Sequence, residues 1–429
     1  MHGFSYRDGR LHCEDVDLDS LAEEHGTPLY VYSAGTILDH YRRLDTGMAG
    51  LDHQIAYAVK ANSNLSVLRL LAEQGAGFDI VSGGELFRVI EAGGDPGKCT
   101  FAGVGKTREE IARALEAGIY CFNVESEAEM RFLDQIAGEM GLSVPVAVRV
   151  NPNVDAKTHK YISTGKAENK FGVDFEDITG LYARAAGELP NVRLRGIQMH
   201  IGSQLTSIQP FIEAVEKVAP LAAELKKQHG IEFWSIGGGI GIVYERALES
   251  GAADWWQSQP EGERPLSIEQ YTSELIPRLE PLGLKILIEP GRYIAGNAGV
   301  LVTRCLYEKT GTAKTFKVVD AGMNDLIRPA LYQGHHEIVP LRESGAERRL
   351  MDVVGPICET GDFFCQDREL PDFKAGDKIA LMSAGAYGFV MASNYNSRPL
   401  PAEVLVDGDK PTLVRRRQTL EDLVALERA

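Results

Sequence analysis

Apolar and polar positions follow two different patterns along this chain, and the change comes near residue 291. From about residue 50 to that point, short runs rich in Val, Ile, Tyr and Phe alternate with longer stretches whose apolar residues recur every three or four positions. The short runs predict strands and the longer stretches predict amphipathic helices. The eight predicted strands span residues 54–60, 77–82, 99–103, 120–125, 145–151, 194–201, 232–237 and 284–289. Eight strands alternating with helices predict an α/β fold, a (β/α)8 TIM barrel.

An open, doubly wound sheet is the alternative fold for the same alternation. Such a sheet usually occupies a shorter segment and carries an early glycine fingerprint, which this chain lacks. Several predicted helices also begin at Ser or Thr and end at Gly, as helix capping requires. The barrel is therefore the predicted architecture.

After residue 291, the helical period gives way to strand-like runs separated by turns. The predicted strands lie within residues 298–310, 315–321, 335–341, 348–358, 377–387 and 401–416, and a helix is predicted over 419–427. This pattern predicts a C-terminal all-β domain. We therefore expect three regions: an N-terminal segment (1–33) that packs with the β domain, the barrel (34–291), and a β-sandwich or barrel-like domain (292–429).

Composition and charge mainly exclude some classes of function. The 429 residues are 44% hydrophobic and 25% charged, and the formal net charge is -16, which argues against non-specific nucleic-acid binding. No apolar run reaches the roughly 18 residues of a membrane span, and the N-terminus does not resemble a signal peptide. The six cysteines form neither a CxxC pair nor a zinc-like cluster. We expect a cytoplasmic protein with free thiols, without a metal, nucleic-acid or membrane partner.

Polar residues and glycines concentrate at the predicted ends of the barrel strands. The C-terminal strand ends of a TIM barrel carry its chemistry, and core packing does not predict polar residues there. The residues in question are Lys60, Asp79, Ser82, Arg149, His200, Gly202, Ser203, Gly237–Gly239 and Glu289–Arg292. We expect the active site at this rim.

Each of these residues also has an ordinary interpretation. A lone lysine is usually a solvated surface residue, but Lys60 follows an apolar strand, and a desolvated amine is what imine formation requires. Gly237–Gly239 could be a flexible turn or a loop whose backbone amides approach a phosphate closely. His200 could be a hydrogen-bonded core histidine or could stack over a flat cofactor.

Two further motifs are set aside. Gly103–Thr107 resembles part of a phosphate-binding P-loop, but the position five residues before Gly105 is Thr100 instead of glycine. The pair His335-His336 has no third ligand at a suitable spacing. We expect that pair to lie in a surface turn.

Several motifs then follow one another in a specific order along nearly the whole chain. They are YAVKAN at 57–62, HIGSQ at 200–204, EPGR at 289–292, RPALY at 328–332, CETGD at 358–362, GAYG at 385–388 and SNYNSRP at 393–399. Together they resemble the fold-type III pyridoxal-phosphate-dependent decarboxylases, and most closely those that act on diaminopimelate. The resemblance implies an alanine-racemase-like barrel and pyridoxal 5′-phosphate as cofactor. It also implies decarboxylation of meso-2,6-diaminopimelate to L-lysine and carbon dioxide, the last step of lysine biosynthesis.

The resemblance implies roles for the cofactor-binding residues. Lys60 is similar to the lysine that carries the cofactor, His200 to the histidine that stacks on its ring, and Glu289 to the carboxylate that pairs with the ring nitrogen. Related racemases typically place an arginine at the position of Glu289, so the glutamate favours decarboxylation. The remaining implied cofactor-binding residues are Asp79, Arg149, Ser203, Gly237, Gly238, Gly239, Gly291, Arg292 and Tyr387.

The resemblance also implies a homodimer with shared active sites. Cys358 is similar to a proton donor supplied by the partner subunit, although alone it would be interpreted as a small buried hydrophobic residue. The residues implied to hold the amino-acid substrate are Arg292, Arg328, Tyr332, Glu359 and Tyr387. A second carboxylate on the substrate calls for guanidinium partners, and a second ammonium calls for a carboxylate.

Two other functions stay open. One is decarboxylation of a polyamine-pathway or basic amino acid such as carboxynorspermidine, ornithine or arginine, although such relatives carry Cys-Asp-Gly where this chain has Cys358-Glu359-Thr360. The other is a non-catalytic regulatory relative, which tends to lose the lysine or the cysteine. Three stretches depart from the family pattern and bear on fine specificity: Phe233–Ile236, Tyr332–His336 and the variable stretch 245–266.

Overall fold

The computed structural model describes residues 2–154, 171–260, 264–312 and 314–428. The chain divides into two compact units. The barrel unit contains His40–Gly241 and Pro265–Tyr293, and the β unit contains Met1–Asp39, Ile242–Arg264 and Ile294–Ala429. Within the described ranges, no helix is both long enough and apolar enough to cross a membrane.

The β unit begins with a small antiparallel sheet of three strands, β1 (Phe4–Arg7), β2 (Arg10–Cys13) and β3 (Val16–Asp17). Helix α1 (Leu18–His25) follows at once, because the Asp17 side chain accepts a hydrogen bond from Asp19 N and caps the helix. Strand β4 (Leu29–Ser33) comes next, and helix α2 (Ala34–Gly47) begins in the β unit and ends in the barrel unit.

The barrel unit is built around a closed ring of parallel strands. Its strands are β5 (His53–Ala58), β6 (Gly77–Ile80), β7 (Cys99–Phe101), β8 (Cys121–Val124), β9 (Val144–Asn151), β10 (Val173–Asp174), β11 (Val192–Met199), β12 (Phe233–Ser235) and β13 (Lys285–Ile288). Strand β13 pairs with β5, and β8 pairs with β9, so the ring closes without an edge. The short β10 pairs with β9 as an extra strand. The predicted (β/α)8 barrel is confirmed, and the open sheet is excluded.

Helices follow the barrel strands as the periodicity predicts. They are α3 (Leu65–Glu73), α4 (Gly83–Glu91), α5 (Arg108–Glu116), α6 (Glu127–Met140), α7 (Ile178–Glu188), α8 (Gln209–His229), α9 (Ala253–Ser258) and α10 (Ile268–Leu279), of which α9 belongs to the β unit. Side-chain caps at Ser82, Thr107 and Ser126 start three of them. The strands are buried on both faces, which explains their almost continuous apolar runs.

The larger sheet of the β unit joins the N-terminal strand to the C-terminal ones. Helix α11 (Arg292–Ala295) begins in the barrel unit and ends in the β unit. The elements that follow are β14 (Gly299–Thr310), β15 (Thr315–Val319), α12 (Arg328–Tyr332), β16 (Ile338–Pro340), β17 (Arg348–Val354), β18 (Phe363–Pro371), β19 (Lys378–Leu381), β20 (Ala402–Asp407), β21 (Lys410–Arg415) and α13 (Leu420–Val424). The strand order of the sheet is β18-β17-β15-β14-β4-β20-β21, and β19 pairs with both β14 and β16. The sheet separate from the barrel agrees with the predicted fold class.

Some elements differ from the sequence prediction. Strand β18 was not predicted, because the charged run Asp367–Glu369 interrupts its apolar pattern. The predicted strand 335–341 shortens to β16, which leaves His335 and His336 outside it. The stretch 245–266 contains helix α9, although its residues 261–263 lie outside the described residues.

Candidate active site

Lys60 lies just beyond β5, in a short 3₁₀ turn formed by Val59–Ala61, and not in the strand itself. Its Nζ atom donates to Asp79 Oδ2 at 2.6 Å, and Asp79 is buried in β6. The Lys60 side chain is 40% exposed. The Lys60 amine is thus only partly buried, whereas its carboxylate partner Asp79 is fully buried. Gly291 packs against this turn: a Cβ there would lie 2.9 Å from Ala61 Cβ.

Glu289 follows β13 directly and is buried among neutral donors. Its Oε1 atom accepts from Ser235 Oγ at 2.7 Å and Asn123 Nδ2 at 3.3 Å, and its Oε2 atom accepts from Gln198 Nε2 at 3.0 Å. Burial, aided by the negative charge of Asp79, raises the pKa of the Glu289 carboxyl to about 7. The barrel thus holds a carboxyl that is poised between its two protonation states near neutral pH.

The three donors to Glu289 were missed at the sequence level. Asn123, Gln198 and Ser235 lie on β8, β11 and β12, each buried between two apolar neighbours in sequence. A polar residue in a strand buried on both faces was the available signal, since such a residue must find a hydrogen-bond partner. Ser235 was noticed only as a departure from the pattern of relatives.

His200 follows β11 and contacts the glycine-rich loop. Its Nδ1 atom accepts a hydrogen bond from Gly238 N at 3.2 Å. Burial, together with the positive charges of Arg149 and Lys60, holds the pKa of His200 well below its usual value. The ring is therefore neutral, with its proton on Nε2.

The loop Gly237–Gly239 is tightly packed, which argues against the flexible-turn interpretation. A Cβ at Gly238 would lie 2.1 Å from Glu289 O, and one at Gly239 would lie 2.4 Å from Gly202 O. Gly237 and Gly239 also have positive φ values of 74° and 102°. Only glycine satisfies these conditions without a shift of the neighbouring backbone.

Two arginines complete the rim of the barrel unit. Arg292 begins α11, and its Nη2 atom donates to Ser203 Oγ at 3.0 Å. Arg149 donates from Nη1 to Glu125 Oε1 at 3.0 Å, and its Cζ atom lies 4.8 Å from the centre of the Phe171 ring. Both arginines are buried and held by partners.

These groups fit the cofactor that the resemblance implies. They combine an accessible amine at Lys60, a buried carboxyl at Glu289, a neutral imidazole and a loop of small, closely packed glycines. Within the described part of the chain, Asp79 Oδ1, Asn123 Oδ1 and Gln198 Oε1 are buried without a hydrogen-bond partner. Unsatisfied buried acceptors are expected where a polar ligand binds.

Cys358 and Glu359 are exposed on the loop between β17 and β18. Asp362 holds the loop, because its Oδ2 atom accepts from Ile357 N at 2.6 Å. Asn396 Oδ1 accepts from Cys358 N at 2.9 Å. Cys358 is exposed and the other five cysteines are buried, which excludes the alternative interpretation of Cys358 as a small buried hydrophobic residue.

Arg328 and Tyr332 form the two ends of helix α12. Arg328 Nη1 lies 2.7 Å from His336 Nε2, and the Arg328 Cζ atom lies 4.4 Å from the centre of the Tyr244 ring. His336 is 0% exposed. The expectation that this histidine lies in a surface turn is therefore wrong, because it contacts a buried cation.

Tyr387 lies in a tight loop that follows β19. Its φ value is 56°, a left-handed conformation that is uncommon for a tyrosine. A Cβ at the neighbouring Gly385 would lie 2.0 Å from Ala295 O. Strained backbone of this kind persists only where the surrounding structure imposes it, and it is frequent at ligand sites.

The comparisons with known proteins agree on one kind of enzyme. Residues 34–296 match the family model described as pyridoxal-dependent decarboxylase, pyridoxal binding domain. The chain is 50% identical over 430 residues to the diaminopimelate decarboxylase of Vibrio cholerae, and the alignment covers 100% of this chain and 99% of that protein. It is 50% identical over 428 residues to the diaminopimelate decarboxylase of Pseudomonas aeruginosa, and that alignment covers 100% of this chain and 99% of that protein.

A solved structure shows the same likeness. The crystal structure of diaminopimelate decarboxylase from Helicobacter pylori complexed with L-lysine superposes with a TM-score of 0.88 at 40% identity. The match covers 96% of this chain and 99% of that one.

Proposed function

This chain belongs to the pyridoxal-dependent decarboxylase family, and from that premise we propose that it converts meso-diaminopimelate to L-lysine and carbon dioxide. Relatives that are 50% identical over the full length carry this activity in their names, and a similar solved structure holds the product L-lysine. The structural observation that carries the proposal is the buried Glu289 carboxyl with its three neutral donors, in the same barrel unit as the Lys60 amine.

Pyridoxal phosphate, when bound, accepts the electron pair that remains on the α-carbon after carbon dioxide leaves, provided that its ring nitrogen is protonated. In our proposal Lys60 carries this cofactor and His200 stacks on its ring. Glu289 keeps the ring nitrogen protonated, because a carboxylate within hydrogen-bond reach favours the charged form of a base. Ser235 and Gln198 hold the two carboxyl oxygens in place for this contact.

We assign the remaining cofactor contacts by the same proposal. The phosphate is held by Ser203, the backbone of Gly237–Gly239, the Gly291–Arg292 segment and Tyr387. Asp79 keeps the Lys60 amine at the strand ends, and Arg149 contributes positive charge beside His200. Anchoring one end of the cofactor fixes its reactive end relative to the substrate.

Cys358 is proposed to return a proton to the α-carbon after the carboxylate has left. Its exposed thiol on the loop between β17 and β18 is accessible for such a transfer. A general-acid step of this kind is worth about 10²–10⁴-fold in rate. We propose that the thiol acts in the active site of a partner subunit, which makes the enzyme a homodimer with shared sites in the cytoplasm, where free thiols persist.

Substrate choice is proposed to rest on charge. Arg292 and Arg328 receive the carboxylate at the far end of meso-diaminopimelate, and Glu359 receives its ammonium group. Tyr332 and Tyr387 complete this end of the site. A basic amino acid with no second carboxylate would gain no charge-assisted hydrogen bond from these arginines.

A substrate panel tests this function. Purified protein loaded with pyridoxal phosphate is assayed for carbon dioxide and amine product with meso-diaminopimelate, L-ornithine, L-arginine, L-lysine and carboxynorspermidine. We expect meso-diaminopimelate to give L-lysine with kcat/KM on the order of 10²-fold or more above the others. Faster turnover of ornithine or of carboxynorspermidine would overturn the proposal in favour of a polyamine-pathway enzyme. No turnover of any substrate would indicate the non-catalytic relative.

A variant of Arg328 tests whether this residue recognises the far carboxylate of the substrate. Arg328→Ala should lower kcat/KM for meso-diaminopimelate by about 10²-fold, because a charge-assisted hydrogen bond is lost. The matched control is Arg349→Ala, an exposed arginine on β17 that pairs with Asp372. Unchanged efficiency in the Arg328 variant would contradict the assignment of this residue to the substrate.

A further inference from the structure

Two contacts fix the protonation state of His336. Its Nε2 atom lies 2.7 Å from Arg328 Nη1, and its Nδ1 atom lies 2.8 Å from the Met382 carbonyl oxygen. A guanidinium only donates, so Nε2 accepts and carries no proton. A carbonyl only accepts, so Nδ1 carries the proton and donates it. The ring is therefore a neutral imidazole in a single tautomer.

The surroundings hold both side chains in one place. His336 is 0% exposed and Arg328 is 6% exposed. The Tyr244 ring lies under the guanidinium, with 4.4 Å between its centre and Arg328 Cζ. The same ring meets the His336 ring edge-on, at 5.4 Å between centroids and an interplanar angle of 79°. The face of the Tyr244 ring and the Nε2 atom of His336 thus restrict the Arg328 side chain, which is otherwise long and flexible.

We infer that His336 is a positioning residue, whose unprotonated Nε2 atom holds the Arg328 guanidinium in the orientation that recognises the far carboxylate of the substrate. This inference rests on the proposed function, in which Arg328 binds that carboxylate. Bidentate recognition of a carboxylate needs two N–H groups of one guanidinium in a fixed plane, and the bond to His336 restricts the orientation of that plane. His336 acts through Arg328 and takes no part in the chemical step.

The sequence context separates His336 from its neighbour. His335 is only half-buried, and it contacts Arg368 Nη2 at 3.3 Å through its Nδ1 atom. Arg368 Nη1 donates to the backbone oxygen of His336, a contact that does not depend on the His336 side chain. Substitutions at these two adjacent histidines therefore perturb different contacts, which makes His335 a matched control.

The test compares two side chains of similar length at one position. His336→Gln keeps an oxygen acceptor for Arg328, whereas His336→Met does not. We expect His336→Met to raise KM for meso-diaminopimelate on the order of 10- to 100-fold with kcat within about twofold, since hydrogen bonds to charged groups have this range of strength. His336→Gln should keep KM within about threefold of wild type, and His335→Met should leave KM unchanged.

A double-variant cycle shows whether His336 changes KM by acting on Arg328. In an Arg328→Ala background, His336→Met should change KM by less than about twofold, because the guanidinium that it positions is absent. Thermal unfolding and the visible cofactor absorption are recorded for every variant, and His336→Phe replaces His336→Met in both arms if the latter does not fold. Wild-type enzyme without activity on meso-diaminopimelate would defeat the proposed function. Two results with an active wild type would overturn the role of His336 and leave the proposed function standing. One is an equal KM in His336→Met and His336→Gln. The other is a double-variant cycle in which the effects of His336→Met and Arg328→Ala on KM multiply.

Discussion

Lys60 Nζ lies 2.6 Å from Asp79 Oδ2, and it reaches Asp79 from the turn that follows β5, the strand next to β6. Ala58 on β5 is in register with Asp79 on β6, so Lys60 stands two residues beyond that level. The 3₁₀ turn Val59–Ala61 brings its amine back over the carboxylate. The buried Asp79 carboxylate thus contributes to holding the amine at the C-terminal strand ends, where barrel enzymes carry out their chemistry.

Glu289 makes the stability of the cofactor-free protein depend on pH. Its pKa is raised to about 7 from an ordinary 4.5, so its contribution to stability is fully present below about pH 4.5 and is lost as pH rises through about 7. We expect Glu289→Gln to remove this dependence, which corresponds to about 3 kcal/mol at most. Unfolding in urea at pH 5 and pH 8.5 measures it. Wild type should lose more stability than the variant between the two pH values, and equal losses would contradict the assignment.

Gly238 should not tolerate a larger side chain. Alanine there would place its Cβ 2.1 Å from Glu289 O, so the loop must shift away from the phosphate that we propose it holds. We expect Gly238→Ala to weaken pyridoxal-phosphate binding by about 10- to 100-fold in an absorbance titration. Gly105→Ala is the matched control, since a Cβ at Gly105 meets nothing within 4 Å. Equal cofactor affinity in the two variants would argue against a phosphate site at Gly237–Gly239.

Several features of the fold could be predicted from the sequence because local patterns encode them. The eight barrel strands are short apolar runs bounded by turns, and the barrel topology places their C-terminal ends together. Strand β18 escaped prediction because Asp367–Glu369 interrupts its alternation, and its pairing with β17 is a long-range contact. The pattern of residues within one short segment does not show which distant strand the segment pairs with.

The site was predictable in part for the same reason. Lys60, His200 and Glu289 lie at the C-terminal ends of predicted strands, so their position made them candidates. His336 was assigned to a surface turn because a pair of histidines has no periodicity, and its partner Arg328 is eight residues earlier in sequence. Asn123 and Gln198 reach Glu289 from strands far away in the chain, and the sequence shows only that each is a polar residue between two apolar neighbours.

Cys358 should be the most reactive thiol of the folded protein. It is exposed, whereas Cys13, Cys99, Cys121, Cys305 and Cys365 are buried. We expect one of the six thiols to react with iodoacetamide at least about tenfold faster than the rest, since exposure governs access to the reagent. Mass spectrometry of tryptic peptides identifies the site. L-lysine should protect the thiol if it lies in an active site, and rapid labelling unaffected by L-lysine would contradict its role as the proton donor.

The shared-site proposal predicts complementation between inactive subunits. Lys60→Ala and Cys358→Ala subunits, mixed under conditions that allow exchange, should regain activity, because a hybrid dimer has one site with both groups intact. Up to about a quarter of wild-type activity is expected from random pairing, since half of the dimers are hybrids with one site each. Mixing Lys60→Ala with the double variant provides the control without an intact site. No recovery despite confirmed subunit exchange would contradict a site built from two chains.

Reduction of the cofactor-loaded protein with borohydride, followed by peptide mass spectrometry, tests the central claim most directly. We predict that the pyridoxyl mass appears on the peptide that contains Lys60, whose side chain is 40% exposed beside Asp79. Lys106 offers an internal comparison in the same unit, since its side chain is 1% exposed and its Nζ atom is bound to Glu129 and to the carbonyl oxygens of Gly103 and Asn123. An adduct on Lys106, or no adduct on Lys60, would contradict the account.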